Sequence, residues 1–332
     1  MIVEPFEFIV IDDGSTDGSL SVLRRYAARD PRIRLVSREN RGLVATLNEG
    51  IALARGQWIA RMDADDVALP DRFEVQLERL QRTGADFCGD AVECFGEWRA
   101  VWRYPLSHDA CEARLLMDVP FAHPTVIGRR SAFADLGYDS AYTQAQDYDL
   151  WQRAWARGYK LVNVPDVVLR YRVHAGQVSA RKAADQQSKA DSVRKRHWQT
   201  LLPNMAVDEI ARIIEMLRDG KGETGALMSS VETLLTRYAG DARETLLFDC
   251  YRAFCRLAGN DPAAARNWLR LASYAEATFS PKAWARAFVL ATLSLFKVKP
   301  YQNSFRSLKK TAALFNALLS RPKAWRKHKD LV

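Results

Sequence analysis

Three carboxylates, Asp63, Asp65 and Asp66, crowd the run Arg61-Met62-Asp63-Ala64-Asp65-Asp66, directly after the apolar residues Trp58-Ile59-Ala60. Carboxylates this close repel one another. A site that holds them together either raises a pKa or recruits a hard, oxygen-seeking cation such as Mg2+ or Mn2+, and a cation so held can sit against a diphosphate. Acidic loops after strands also serve as solvated turns or helix caps, and the cluster by itself leaves that reading open. A second acidic loop, Asp12-Asp13-Gly14-Ser15-Thr16-Asp17, follows the apolar run Phe6 to Ile11, and a third carboxylate group opens the stretch Asp147-Tyr148-Asp149-Leu150-Trp151.

The elements that must position these groups follow from the pattern of apolar residues. Phe6 to Ile11 reads as a buried strand, Leu20, Leu23, Tyr26 and Ala27 keep helical spacing, and Ile33 to Ser37 reads as a second strand. After the loop Asn40-Arg41-Gly42, a helix marked by Leu43, Leu47 and Ile51 leads to a third strand, Trp58 to Met62, which delivers the acidic cluster. Strand, helix, strand, helix, strand predicts parallel βαβ units with ligands at the carboxyl ends of the strands, so both acidic loops are expected on one rim of one sheet. Beyond it the pattern predicts a helix from Pro70-Asp71-Arg72 to Gly84, a strand from Phe87 to Phe95 and a helix from Asp109 to Met117. A helix from Asp147 to Gly158 and a β-like run from Leu161 to Tyr171 complete this part.

From about Ala183 strand patterns vanish and the period becomes helical, as in Ile210, Ile213, Ile214 and Leu217. Residues 1–180 carry 22 Lys+Arg against 26 Asp+Glu, whereas residues 181–332 carry 27 against 14, so the net charge of +9 arises in the helical part. With 332 residues, 48% of them hydrophobic, the chain can bury one sizeable core and a second, smaller unit, and the division is expected at 1–180 and 181–332. The five cysteines form no Cys-x-x-Cys pair and are odd in number, which points to free thiols in a reducing compartment. No secretory leader is evident, and Ala287 to Phe296 falls short of the roughly 18–20 residues of a membrane span. A cytoplasmic protein is expected. Lys297, Lys299, Arg306, Lys309 and Lys310, beside Trp284, Phe288, Leu293 and Phe296, suit either a solvated basic bundle or the anionic inner face of the cytoplasmic membrane. No nucleic-acid motif accompanies the charge.

Taken with Asn40-Arg41-Gly42, Pro70-Asp71-Arg72, His123-Pro124-Thr125 and Gln146-Asp147-Tyr148-Asp149-Leu150-Trp151, the two acidic loops resemble those of the family 2 glycosyltransferases in order and spacing over roughly residues 6–180. The resemblance implies an α/β GT-A fold: a Rossmann-like, mostly parallel nucleotide-sugar-binding sheet, here followed by an α-helical C-terminal region. It also implies inverting transfer of a sugar from a nucleotide, expected to be UDP, to a saccharide or lipid-linked acceptor in surface polysaccharide or lipopolysaccharide synthesis. It places Asp13 at the base with Asp12 beside it, Asp63 at the ribose and metal, and Asp65 on the Mg2+ or Mn2+ that bridges the diphosphate. Asp147 matches the general base, although Gln146 stands where the family usually has Glu. His174, after Tyr171-Arg172, is implied at the metal or pyrophosphate, and Arg172 as a donor fork to phosphate oxygens.

Displacement of a nucleoside diphosphate builds negative charge that a divalent metal neutralises, while a carboxylate on the opposite face takes the acceptor's proton, for a gain of about 10²–10⁴-fold. The remaining residues have structural expectations. Asp17 and Asp66 cap turns, His123-Pro124 shapes a loop near the acceptor, Asp149 is a solvated or ion-paired neighbour of the base, and Trp151 and Trp155 pack a core. Family members begin with a further strand and helix before the Asp-Asp-Gly-Ser loop, which this chain is expected to lack, either because its start is assigned downstream of the true one or because the gene is truncated; a truncated chain would expose an unpaired sheet edge. That departure supports an alternative, a catalytically impaired relative acting as a scaffold at the membrane surface. A metal-dependent phosphotransferase is a third reading.

Overall fold

The computed structural model describes residues 6–174, 183–219 and 224–257, with residues 263, 267, 270, 271 and 274 beyond them. The Gly176-Gln177-Val178-Ser179 stretch, the Asp261-Pro262 and Ser280-Pro281 helix starts, and the basic and aromatic residues from Trp284 to Lys310 lie outside the described residues. No described helix is long and apolar enough to cross a membrane.

The chain opens with β1 (Phe8–Asp13), α1 (Ser19–Ala27), β2 (Ile33–Arg38), α2 (Leu43–Leu53) and β3 (Trp58–Ala60), in the order the sequence predicts. After the acidic loop come β4 (Val67–Ala68), α3 (Arg72–Thr83), β5 (Phe87–Gly96), β6 (Ala100–Trp102) and α4 (His108–Leu115). A 3-10 turn (His123–Thr125), β7 (Ile127–Arg129), α5 (Arg130–Leu136), a second 3-10 turn (Ser140–Tyr142), α6 (Gln146–Ala156) and β8 (Leu161–Val173) complete the α/β part. Four helices follow: α7 (Ala183–Leu201), α8 (Val207–Asp219), α9 (Thr224–Arg237) and α10 (Gly240–Leu257).

The sheet departs from the mostly parallel arrangement expected. β1 and β2 form a separate parallel pair, and the other strands form a six-stranded mixed sheet in the order β3-β7-β5-β8-β4, with β6 on β5. Only the β5–β8 ladder of that sheet is parallel. The reason is connection length. A three-residue turn between β5 and β6 can join only antiparallel strands, whereas the passage from β5 to β8 through three helices is long enough for a parallel crossover. Asp12 and Asp13 therefore end a strand of one sheet while Asp63 to Asp66 follow a strand of another, so the shared rim of a single sheet is not what forms.

Phe87, fully buried on β5, centres the core beneath the sheet. Its ring meets Phe133 edge-on at 5.0 Å and Trp151 at 5.5 Å, and Trp151 meets Phe121 at 5.0 Å, each pair adding about 0.5–1.5 kcal/mol beyond area burial. A Cβ at Gly128 would fall 2.4 Å from the Phe87 ring, so β7 can lie against it only without a side chain. Trp151 is thus a core residue, as its helical face predicts. Trp155 also packs, between the sheet-side and the helical clusters, donating Nε1–H to Glu112 of α4 at 2.7 Å and lying 4.5 Å from His197.

Helix α4 is shared between two cores. Cys111 and Leu115 join the sheet-side cluster, whereas Ala110 and Ala113 join Trp198, Ile210, Ile213, Leu234, Leu246 and Phe254 in the helical cluster. Ser107 caps it by accepting the Ala110 N–H at 3.1 Å. Glu112, on the same helix and nearly buried, also accepts the Tyr238 hydroxyl at 2.8 Å and pairs with Arg237 at 3.2 Å. Cys88, Cys94, Cys111 and Cys250 are free and buried.

Candidate active site

The first loop is a folded tie between strands. Gly14 takes φ 80° and lies so close to the second loop that an added Cβ would be 2.7 Å from the Asn40 nitrogen, which accounts for glycine after the two aspartates. Asp13 accepts the N–H groups of Arg41 at 2.8 Å and Gly42 at 2.9 Å and pairs with the Arg38 guanidinium. Burial pushes its pKa up, but those donors outweigh it and hold the carboxyl below its ordinary value. Asp12, 4% exposed, accepts Ser15 N–H at 3.3 Å and Ser37 Oγ–H at 3.0 Å and so shapes the turn. Asp17 accepts the Ser19 N–H at 2.9 Å in a local turn just before α1, but the N-cap position is Gly18 and no side chain caps the helix, so Asp17 is not the helix cap expected of it.

The acidic loop is gripped from three sides. At its start Arg61 donates its backbone N–H to Val126 and receives the Arg72 guanidinium on its carbonyl at 2.8 Å. Arg72 is 2% exposed, and burial lowers its pKa to about 10. The Arg61 fork closes on Asp63, at 2.9 and 2.5 Å. From β8, Arg172 donates its backbone N–H to Asp66 Oδ1 at 2.8 Å and its Nε–H to the Asp65 carbonyl at 2.9 Å, while its guanidinium lies 4.5 Å over Phe95. His174 Nε2 lies 3.2 Å from Asp65 Oδ2.

One carboxylate oxygen from each of Asp63, Asp65 and Asp66 lies within 4.8 Å of the others. Asp66 does not cap the following turn as the sequence suggests. It points inward, 7% exposed, and among the described residues its Oδ2 has no hydrogen-bond partner. Burial first, then the neighbouring Asp63 and Asp65, raise its pKa to about 6 against the pull of Arg172 N–H and Arg61. An all-oxygen set with an orphaned buried carboxylate oxygen suits a hard divalent cation, which would relieve the repulsion and occupy the open lone pair.

Asp147 stands in the first turn of α6 and accepts the Tyr148 N–H at 2.8 Å. Burial dominates and raises its pKa, with Tyr148 N–H and Arg61 pulling it down and Asp118 pushing it up. Helix α6 is pinned behind it. Asp149, with no exposed surface, accepts Arg153 at 2.7 Å and Arg196 at 2.6 Å, and Tyr148 donates its hydroxyl to the Leu115 carbonyl at 2.6 Å. This is the ion-paired alternative for Asp149.

The structure thus gathers Asp63, Asp65, Asp66, Arg172 and His174 into one cluster, and Asp147 stands apart from it on α6. Among the described residues no hydrogen bond or ion pair joins Asp12 or Asp13 to the acidic loop. The nearer tie runs through α2, where Asn48 and Tyr138 exchange two hydrogen bonds at 2.7 and 2.8 Å and Tyr138 hydroxyl meets His123 Nε2 at 2.8 Å. His123 is neutral, since burial and Arg61 hold its pKa well below the ordinary value. Arg61 and Tyr138 received no role from the sequence. Arg61 was nonetheless in plain view, two residues before Asp63. A groove of about 820 Å³ lined by Tyr142, Asp191, Lys195, Arg196 and Arg218 runs along α7 and touches none of the acidic-loop residues.

Residues 3–137 match the model of glycosyl transferase family 2. An uncharacterized glycosyltransferase of Haemophilus influenzae is 31% identical over 221 residues, 62% of this chain and 68% of its own. The amylovoran biosynthesis glycosyltransferase AmsE of Erwinia amylovora is 31% identical over 180 residues, 53% of this chain and 68% of its own. The crystal structure of S. aureus TarS 1-349 in complex with UDP aligns over 92% of this chain and 84% of that one, with 13% identity and a TM-score of 0.48. The chain belongs to glycosyl transferase family 2 and is a glycosyltransferase. The family match ends before Asp147, whose assignment rests on the Gln146-to-Trp151 motif and its geometry.

Proposed function

We propose that the chain moves a glycosyl group with inversion from a nucleotide sugar, UDP-linked, to a saccharide or lipid-linked acceptor in surface polysaccharide or lipopolysaccharide synthesis. The observation that carries this reading is the convergence of Asp63, Asp65 and the Asp66 carboxylate oxygen that has no partner among the described residues. Residues 1–180 serve as the GT-A unit in this reading and 181–332 as its helical extension. The relative named for amylovoran biosynthesis supports the polysaccharide context.

Mg2+ or Mn2+ would be held by Asp65 and Asp63, with Asp66 and His174 adjoining, and when bound supplies charge neutralisation at the leaving diphosphate. Asp12 and Asp13 fix the two loops that face the nucleotide, and Arg172 keeps the acidic loop in place toward the phosphates. Asp147 takes the proton from the attacking hydroxyl as the new glycosidic bond forms and the bond from the anomeric carbon to phosphate oxygen breaks. A carboxylate whose pKa burial has raised is a stronger base for this step than a solvated one. Calorimetry of UDP with Mn2+ tests the assignment. Binding is expected for the native chain and is lost in Asp65→Ala; absence of metal-dependent binding in the native chain overturns it.

A further inference from the structure

The β5–β6 hairpin carries a row of aromatic rings that none of the roles above uses. Its register sets Trp102 opposite Val92 and Ala100 opposite Cys94, and the parallel ladder on the other side of β5 sets Tyr171 beside Cys94. Side chains alternate between faces along a strand, so Ala100, Trp102, Val92, Cys94 and Tyr171 share one face, while Glu93, Val101 and Arg170 take the other. On the shared face the Trp102 ring lies 5.5 Å from Tyr171, and Trp98, in the hairpin turn, lies 5.7 Å from Trp102.

The inner end of this row abuts the acidic loop. Tyr171 immediately precedes Arg172, whose N–H binds Asp66, and the nearby carboxylates join burial in raising the Tyr171 hydroxyl to about 12. The outer end is open. Trp98 is 43% and Trp102 38% exposed, and among the described residues neither indole N–H has an acceptor. One exposed apolar residue is unremarkable, but adjacent indoles running outward from a cluster of carboxylates form a continuous apolar strip with unused donors. The face of an indole is electronegative and attracts the polarised C–H groups on the flat side of a pyranose, while its N–H can reach a ring hydroxyl.

We propose that Trp102 and Trp98 form a stacking platform for the pyranose rings of an oligosaccharide acceptor, leading its terminal hydroxyl toward the acidic loop. The inference rests on the glycosyltransferase reading and names its acceptor as a saccharide of at least two rings. The row takes two ring-to-ring steps away from the acidic loop, farther than the single sugar of a nucleotide donor extends. Successive sugars of a chain match such a row.

The full chain, labelled with 5-fluorotryptophan, gives nine indole signals in 19F spectra, and loss of a signal in Trp98→Phe and Trp102→Phe assigns the two of interest. Cellotriose, maltotriose and chitotriose serve as probes. The expected result is a saturable shift of the Trp98 and Trp102 signals with at least one probe while the Trp151 signal stays fixed. The affinity is expected to fall about tenfold in Trp102→Ala, the equivalent of one lost stacking contact of about 1.4 kcal/mol, and to be largely kept in Trp102→Phe. Unmoved Trp98 and Trp102 signals with all three probes, or equal affinity in Trp102→Ala, overturn the platform. Calorimetry of UDP with Mn2+ on the same sample separates the two ideas. Retained nucleotide binding without a saccharide response removes the platform alone, and loss of nucleotide binding removes the function beneath it.

Discussion

Arg172 holds Asp66 through its backbone, N–H to Oδ1 at 2.8 Å, and with its side chain reaches one residue further back to the Asp65 carbonyl. The last strand of the sheet therefore sets where the acidic loop stands. A strand is a stiffer reference than the loop itself, so the spacing of the carboxylates is inherited from β8.

Arg172→Ala removes the charge-assisted bond to Asp65 but not the backbone bond to Asp66. Affinity for UDP with Mn2+ is expected to fall about tenfold, with thermal stability nearly unchanged because the side chain is exposed. Calorimetry and a melting curve on one preparation check both halves.

Asp147→Asn is expected to keep nucleotide binding and to lower transfer by about 10²–10⁴-fold. The base must be ionised to work, and its pKa lies above the ordinary carboxylate value. Transfer by the native chain should therefore fall with unit slope as pH drops through that raised pKa, at a higher pH than a solvated aspartate would give. A pH–rate profile measures it, and a rate independent of pH across the acid limb removes Asp147 from the role.

Asp90 sits at a register shift in β5 with no exposed surface and, among the described residues, no partner on either carboxylate oxygen. Burial raises its pKa to about 8, with Arg72 opposing. A carboxyl raised on folding binds its proton more tightly in the native state. Its stabilising contribution is complete below the ordinary value near 3.8 and is lost as pH rises toward 8. Asp90→Asn should flatten this limb, so that the difference in melting temperature, variant minus native, grows in the variant's favour from pH 5 to pH 8.5.

Asp149→Ala leaves the guanidinium groups of Arg153 and Arg196 without their buried carboxylate. Breaking such a pair costs about 3–5 kcal/mol, expected as a lower urea midpoint. Because α6 carries Asp147, transfer should fall as well, while UDP binding should persist at temperatures where the variant remains folded.

The elements of the α/β part were legible because apolar periodicity and turn residues act locally. Helices α3, α4 and α6 and the long strands β5 and β8 fall within a few residues of their expected places. Strand direction was not legible, because periodicity is the same in parallel and antiparallel pairs, and only the connections decide. The acid cluster could be read from Asp63 to Asp66, but the inward turn of Asp66 depends on an N–H contributed by Arg172, 106 residues away. Arg61 escaped for a similar reason: its fork closes locally on Asp63, but its influence on His123 and Asp147 exists only in three dimensions. The Trp98–Trp102 pair also depends on hairpin register: Gly96, at φ 109°, marks where β5 ends, but nothing in the sequence says which residue of β6 lies opposite Val92.

Helix α4 precedes by many residues the partners of its Ala110 and Ala113, which lie on the C-terminal helices. Until Trp198, Ile210 and Leu246 emerge, Ala110 and Ala113 face water on an otherwise formed helix. Domains generally fold in order of synthesis, and apolar faces left uncovered during that interval are sites for chaperones or for association between nascent chains. The helical cluster that covers Ala110 and Ala113 is complete only when Leu246 and Phe254 of α10 are present.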